Sequence, residues 1–153
     1  MKLNLGAERN ILLTEGWHNL DITTKFGAII WKGWGNTIPY KNNTADLILV
    51  SHSLMFCPKE LYKFVFKDIY RVLKRGAKFL LKEDNNIKYQ WRKIGTHNIK
   101  SSTNLAEIFN YLVEAKFHSF QADPEILIKK YGNIINRQNK LLQRKIFIIE
   151  SEK

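Results

Sequence analysis

The stretch "KLNLGAERNILLTEGWHNLDI", residues 2–22, decides how the rest of the chain is read. Leu3 to Leu5 is a short apolar strand candidate that runs into Gly6, and His18 to Ile22 is a second one carrying the acid Asp21. In α/β folds that hold nucleotide-like cofactors, a glycine turn lies beneath one end of the ligand and a carboxylate after the next strand grips its ribose. Such turns carry several glycines, whereas this one reads Gly6-Ala7-Glu8-Arg9-Asn10. The stretch therefore predicts the frame of a cofactor seat and leaves open whether the seat still works.

Working outward, Phe26 to Trp31 reads as a short strand or a covering loop, followed by the turn-rich "KGWGNT" (32–37) and "IPYKNN" (38–43). "ADLILVSH" (45–52) is a continuous apolar run of strand length, the pattern of a strand buried on both faces. "PKELYKFVFKDIYRVLK" (58–74) predicts a helix with Pro58 in its first turn and a packing stripe of Leu61, Val65, Ile69, Val72 and Leu73. Gly76 is expected to stop that helix. "AKFLLKED" (77–84) predicts a buried strand. A second helix is expected over 104–115, with Leu105, Ile108, Phe109, Leu112 and Val113 on one face. A short helix from Pro124 to Tyr131 and then a loop separate two closing strands, "FHSFQA" (117–122) and "RKIFIIES" (144–151). Strands alternating with helices imply an α/β fold with a mostly parallel sheet covered on both faces. The last two strands, without a long helix between them, suit an antiparallel hairpin at one edge.

With 153 residues the chain has room for one domain, 1–153, with a real core. No run approaches the roughly 18 apolar residues of a membrane span, and the start is too polar for a signal peptide. The single Cys57 makes neither a disulfide nor a metal site, and His18, His97 and His118 show no metal-ligand spacing. A cytoplasmic protein that needs no membrane is the expectation. The net charge of +11 reads either as attraction to an acidic partner or as drift in a Lys-, Asn- and Ile-rich composition.

"KLNLG", "GWHNLDI", "IPYKNNTADLILVSHSL" and "IYRVLKRGAKFLLKED", four segments in order, resemble the class I S-adenosylmethionine-dependent methyltransferases. They are most similar to small predicted methyltransferases with a GxGxxxxxGWxNxD, LPF-DLI-SH and RVLKPGG pattern, over about residues 2 to 84. The resemblance implies a Rossmann-like, doubly wound sheet of seven strands with the seventh inserted antiparallel, here minimal and trimmed at the N-terminus. It implies S-adenosylmethionine as cofactor, with Leu5, Gly6 and Ala7 under its methionine end, Asp21 on the ribose hydroxyls and Ile22 against the adenine. Asn36, Thr37 and Ile38 would edge the adenine, and Ser51 and His52 would stand near the sulfonium. His52 and Asp84 are the candidate catalytic residues, each able to accept a proton from an acceptor oxygen or nitrogen. No metal is implied.

Three departures keep a second reading open. Ala7 and Glu8 replace the rest of the glycine loop, "SHSLMF" stands where the family has SHxLEH, and the helix that usually precedes the first strand is missing. Each favours a degenerate methyltransferase fold acting as a binding or accessory subunit, while a second copy or a partner subunit that supplied the missing cover would reconcile a trimmed domain with a working enzyme. The acceptor class stays open among small molecule, glycan and nucleic acid. Lys63, Lys67, Arg71 and Lys74 step along one helix face, and Lys129, Lys130, Arg137, Lys140, Arg144 and Lys145 cluster late in the chain. Both groups read as solvated surface or as a nucleic-acid contact. Tyr89, Trp91 and Arg92 could stack on a ring or cover the sheet.

Overall fold

The computed structural model describes residues 1–8, 11–24, 26–84, 93–94, 97–98, 104–135 and 146–153. In chain order the elements are β1 (Lys2–Leu5), β2 (Trp17–Asp21), β3 (Ile29–Ile30), β4 (Ala45–Ser51), α1 (Tyr62–Val72) and β5 (Leu73–Asp84). There follow β6 (Lys93–Ile94), β7 (His97–Asn98), α2 (Leu105–Glu114), β8 (His118–Gln121), α3 (Pro124–Ile135) and β9 (Ile146–Glu152). No helix among the described residues is long and apolar enough to cross a membrane.

Seven strands form one sheet in the order β3-β2-β1-β4-β5-β9-β8, and β6 pairs with β7 as a separate two-residue ribbon. The first five strands of the sheet run parallel, and β9 lies antiparallel between β5 and β8. The chain therefore winds outward from β1 to β3, then crosses back to place β4 on the other side of β1. That reversal opens a crevice at the carboxyl ends of β1 and β4, where ligands of such sheets bind.

Both faces are covered, because the strands are apolar on both. Leu5, Ile48, Val50, Phe79 and Leu81 meet Val65, Phe66, Ile69 and Val72 of α1, and Ile108 and Leu112 of α2. On the opposite face Leu49, Leu80 and Ile148 meet Leu127 of α3. The crossover from β1 to β2 contains no helix among its described residues. It is pinned instead by Asn19, whose Oδ1 accepts the Leu12 N–H and the Asn4 amide, while its own amide donates to the Leu12 carbonyl. The asparagine of "GWHNLD" thus supplies the hydrogen bonds that let so short a connection close.

Several boundaries differ from expectation. α1 ends at Val72, not Lys74, because Leu73 is already extended and pairs with Ala45 of β4. Gly76 consequently lies inside β5 with a φ of 74°, its N–H donating to the Lys153 carbonyl, and does not end the helix. The buried stripe of α1 includes Tyr62 and Phe66 and omits Leu61, which is only partly buried. On α2, Phe109 and Val113 are exposed, and only Ile108 and Leu112 are buried. The helix after Pro124 continues past Tyr131 to Ile135.

Candidate functional site

Register sets the site. Leu5 pairs with Leu20 on one side and with Val50 on the other, and Val50 pairs with Leu81. The next residue of each strand or its exit, namely Gly6, Asp21, Ser51 and Lys82, therefore stands at one level along the carboxyl edge. Gly6 leaves β1 with a φ of 67°, and its N–H donates to the Leu20 carbonyl, as does that of Ala7. A side chain at Gly6 is excluded twice over: the φ is left-handed, and a Cβ would stand 2.5 Å from Ser53 Cβ.

Asp21 is buried at 7% exposure, and its two carboxylate oxygens are divided between two loops. Oδ2 accepts the Glu8 N–H at 2.9 Å, and Oδ1 accepts the Thr23 N–H at 3.2 Å. A carboxylate oxygen has two acceptor positions, so each keeps one for a further donor. Beside it Ile22 stands 55% exposed, an apolar surface next to the acid.

At the end of β4, Ser51 and His52 are half-buried, and His52 turns the chain with a φ of 52° while its N–H donates to the Lys82 carbonyl. Ser53 then folds back over β1, its Oγ donating to the Leu5 carbonyl at 3.1 Å. Glu83 of β5, fully buried, holds this corner by accepting the Ser53 and Leu54 N–H groups at 2.9 and 2.7 Å. Asp84 ends β5, paired with Ile146.

The stretch 36–38 is fixed by its own set of hydrogen bonds. Asn36 bonds back to the Lys32 and Gly33 carbonyls, and the Thr37 carbonyl accepts the Trp31 indole N–H. Ile38 is buried at 3% exposure, and its N–H donates to Asp68 of α1 at 2.6 Å. Arg71 completes this anchor, donating to Asp68 and to the Ile38 and Tyr40 carbonyls. These bonds tie 38–40 to α1. A shallow surface dimple lies here, lined by Trp31, Trp34, Asn36, Ile38, Phe64 and Val65 with Asp68.

Two groups escaped the sequence reading. Glu83, one residue before the candidate acid Asp84, lies by period-two counting on the face of Phe79 and Leu81. Trp34 sits between Gly33 and Gly35, and its indole N–H donates to the Ser53 carbonyl at 2.9 Å. The "GWG" triplet was the available signal. Three of the four residues of the basic stripe are paired: Arg71 with Asp68, Lys63 with Glu114, and Lys74 with Asp46, whose carboxyl it helps draw down to about 2, while Lys67 is exposed. In the late basic cluster Lys130 pairs with Glu150. Arg137, Lys140, Arg144 and Lys145, with Tyr89, Trp91 and Arg92, lie outside the described residues.

Comparison with known proteins follows the same geometry. Residues 21–81 match the family model of a methyltransferase domain. A SAM-dependent methyltransferase from Archaeoglobus fulgidus has a similar structure at a TM-score of 0.66 and 13% identity, over 99% of this chain and 85% of that one. The complex of the Haloferax volcanii Trm112 methyltransferase activator contains a similar chain at 0.64 and 14%, over 99% and 81%. Phosphoethanolamine N-methyltransferase 2 of Haemonchus contortus, solved with S-adenosyl-L-methionine, is similar at 0.64 and 13%, over 99% of this chain and 48% of that one. At these identities the shared property is the fold. No curated protein matches the sequence.

Proposed function

We propose that the chain is a class I S-adenosylmethionine-dependent methyltransferase that methylates an oxygen or nitrogen of its acceptor, a reading supported by the methyltransferase-domain match over 21–81 and by the shared fold. The observation that carries the proposal is Asp21: a buried carboxylate, level with Gly6 and Ser51 at the carboxyl edge, with one acceptor position spare on each oxygen. The residues fit S-adenosylmethionine in kind. An acid at the end of β2 suits two vicinal hydroxyls, a glycine exit from β1 lets backbone approach the ligand, and exposed Ile22 offers an apolar surface to a ring.

When bound, S-adenosylmethionine supplies an electrophilic methyl group on a cationic sulfur. The chain's own work is positioning, which can contribute as much as about 7–11 kcal/mol where reactants are held in line. In this reading Asp21 accepts hydrogen bonds from the ribose hydroxyls, Leu5, Gly6 and Ala7 offer backbone to the methionine end, and Ile22 supports the adenine with Asn36, Thr37 and Ile38 beyond it. Ser51 and His52 line the reacting end. His52 at the β4 exit, or Asp84 at the end of β5, takes the proton that the acceptor releases. A second copy or a partner subunit covering the open side belongs to the same proposal. Ile22, Ile29 and Ile30, at 55%, 47% and 64% exposure, form an uncovered apolar rim by β3.

Ligand-dependent melting tests the cofactor class. A ligand at about a hundred times its Kd adds about 2.7 kcal/mol, which for a chain of this size raises Tm by roughly 5–10 °C. S-adenosylmethionine and S-adenosylhomocysteine are expected to give that rise and NADH none. Equal rises with NADH, or none with either adenosyl compound, would overturn the proposal.

A further inference from the structure

The strand register gathers one end of the sheet into a cationic edge. Trp17, Lys2, Leu47, Lys78, Glu152 and His118 pair in a single row across β2, β1, β4, β5, β9 and β8. With strands about 4.8 Å apart, the row is roughly 24 Å wide. It marks the amino end of the parallel strands, whereas Gly6 and Asp21 stand at the carboxyl end. Lys74 and Arg75 precede Lys78 on β5, Lys116 precedes His118, and Lys153 follows Glu152, so all four extend beyond the row. Lys41 joins them through its carbonyl, which accepts the hydroxyl of Thr44 just before β4.

The carboxylates near this edge are few, and most are taken. Asp46 is shared by Lys74 and the terminal amine of Met1, Glu152 pairs with Lys78, and Glu114 pairs with Lys63. Lys153 directs its ammonium to the Asn43 side chain and the Leu73 carbonyl. Lys2, Lys41, Arg75 and Lys116 are exposed and have no carboxylate partner among the described residues, against one free acid, Glu15. An uncompensated cationic surface draws polyanions from solution. Binding at a membrane surface would need an apolar face beside the cations. The segments that carry the exposed Leu13 and Val113 pack on opposite faces of the sheet, so the two supply no such face.

We propose that this amino edge is a docking surface for the phosphodiester backbone of a nucleic acid, held by Lys2, Lys41, Arg75 and Lys116. Lysine and arginine contacts to phosphate fix position and carry no sequence information, so the docking is independent of sequence. Lys2 and Gly6 lie at opposite ends of β1, roughly 13 Å apart. The docked backbone is therefore anchored away from the proposed cofactor seat, and the surface stands whether or not that seat is occupied.

The test measures binding of the full chain to a short mixed-sequence oligonucleotide, single-stranded and duplex, by fluorescence anisotropy over a series of salt concentrations. Wild type is expected to bind with log K falling linearly in log salt. The triple variant Lys41→Gln, Arg75→Gln, Lys116→Gln should lose roughly tenfold or more in affinity at low salt and flatten the slope by roughly 2–3. A second triple, Lys32→Gln, Lys67→Gln, Lys129→Gln, removes the same charge from exposed positions elsewhere and should keep the wild-type slope. Substitutions at such exposed positions leave the fold intact. Binding of one oligonucleotide form alone upholds the surface and names the form it takes. Equal losses by the two triples would make binding a matter of net charge and overturn the proposal. So would no binding by wild type, or tighter binding to phosphatidylserine vesicles than to either oligonucleotide. S-adenosylhomocysteine affinity should be unchanged in the first triple, which keeps the cofactor reading a separate question.

Discussion

Asp21→Ala is expected to weaken S-adenosylmethionine binding by on the order of 100-fold or more, the largest functional loss any single substitution should produce. Hydrogen bonds to a charged acceptor contribute about 1.5–3 kcal/mol each, and each 1.4 kcal/mol is tenfold in affinity. The carboxylate has room for two ribose donors beyond the Glu8 and Thr23 N–H groups that it already accepts. Those two bonds also shape the loops on either side, so part of the loss comes from a slackened β1 exit. Asp21→Asn separates the contributions. It preserves volume but turns one acceptor into a donor facing a backbone N–H, and it should lose nearly as much affinity as the alanine. Equilibrium titration of both variants checks this, and an Asp21→Ala protein that binds like wild type would remove Asp21 from the site.

The largest loss of stability should follow Asp68→Ala. This carboxylate, 7% exposed, accepts the Ile38 N–H and the Arg71 Nε–H, both at 2.6 Å. Arg71 in turn holds the carbonyls of Ile38 and Tyr40 and the Asn42 side chain. Breaking a buried pair by removing one partner costs about 3–5 kcal/mol. Arg71 is 28% exposed and can find water, so about 2–4 kcal/mol is the expected loss, or a Tm lower by roughly 5–15 °C. A double-mutant cycle with Arg71→Ala should return a coupling of about 1–3 kcal/mol. Additive losses would mean that the two side chains act separately.

The sheet was legible because its strands announce themselves by composition and by what ends them. "LILV" within "ADLILVSH" is apolar without a break, and it forms the centre of β4, between β1 and β5. The order of helices and strands implied a crossover sheet with an antiparallel late pair, and β8 and β9 form that pair with β9 inserted beside β5. Misreadings arose where periodicity runs past a boundary that tertiary contacts set. Leu73 continues the helical spacing of Val65 and Ile69, yet its backbone pairs with Ala45 and its carbonyl takes the Lys153 ammonium. Phe109 continues the apolar face of α2, but its ring packs on Phe120 of β8 at the surface rather than in the core.

The site was legible only in part, for a physical reason. Gly6 and Asp21 advertise themselves through backbone freedom and charge. Ser53, Glu83 and Trp34 matter through contacts between segments 19 to 48 positions apart, which no local pattern encodes. The Asp68 and Arg71 partners that fix the Ile38 backbone lie 30 and 33 positions away, beyond the reach of a local pattern.

The most direct test of the central claim is calorimetric titration of the wild-type chain with S-adenosylhomocysteine. The account predicts saturable one-to-one binding in the micromolar range. No heat of binding up to millimolar ligand would contradict it, leaving a methyltransferase fold without a working cofactor seat.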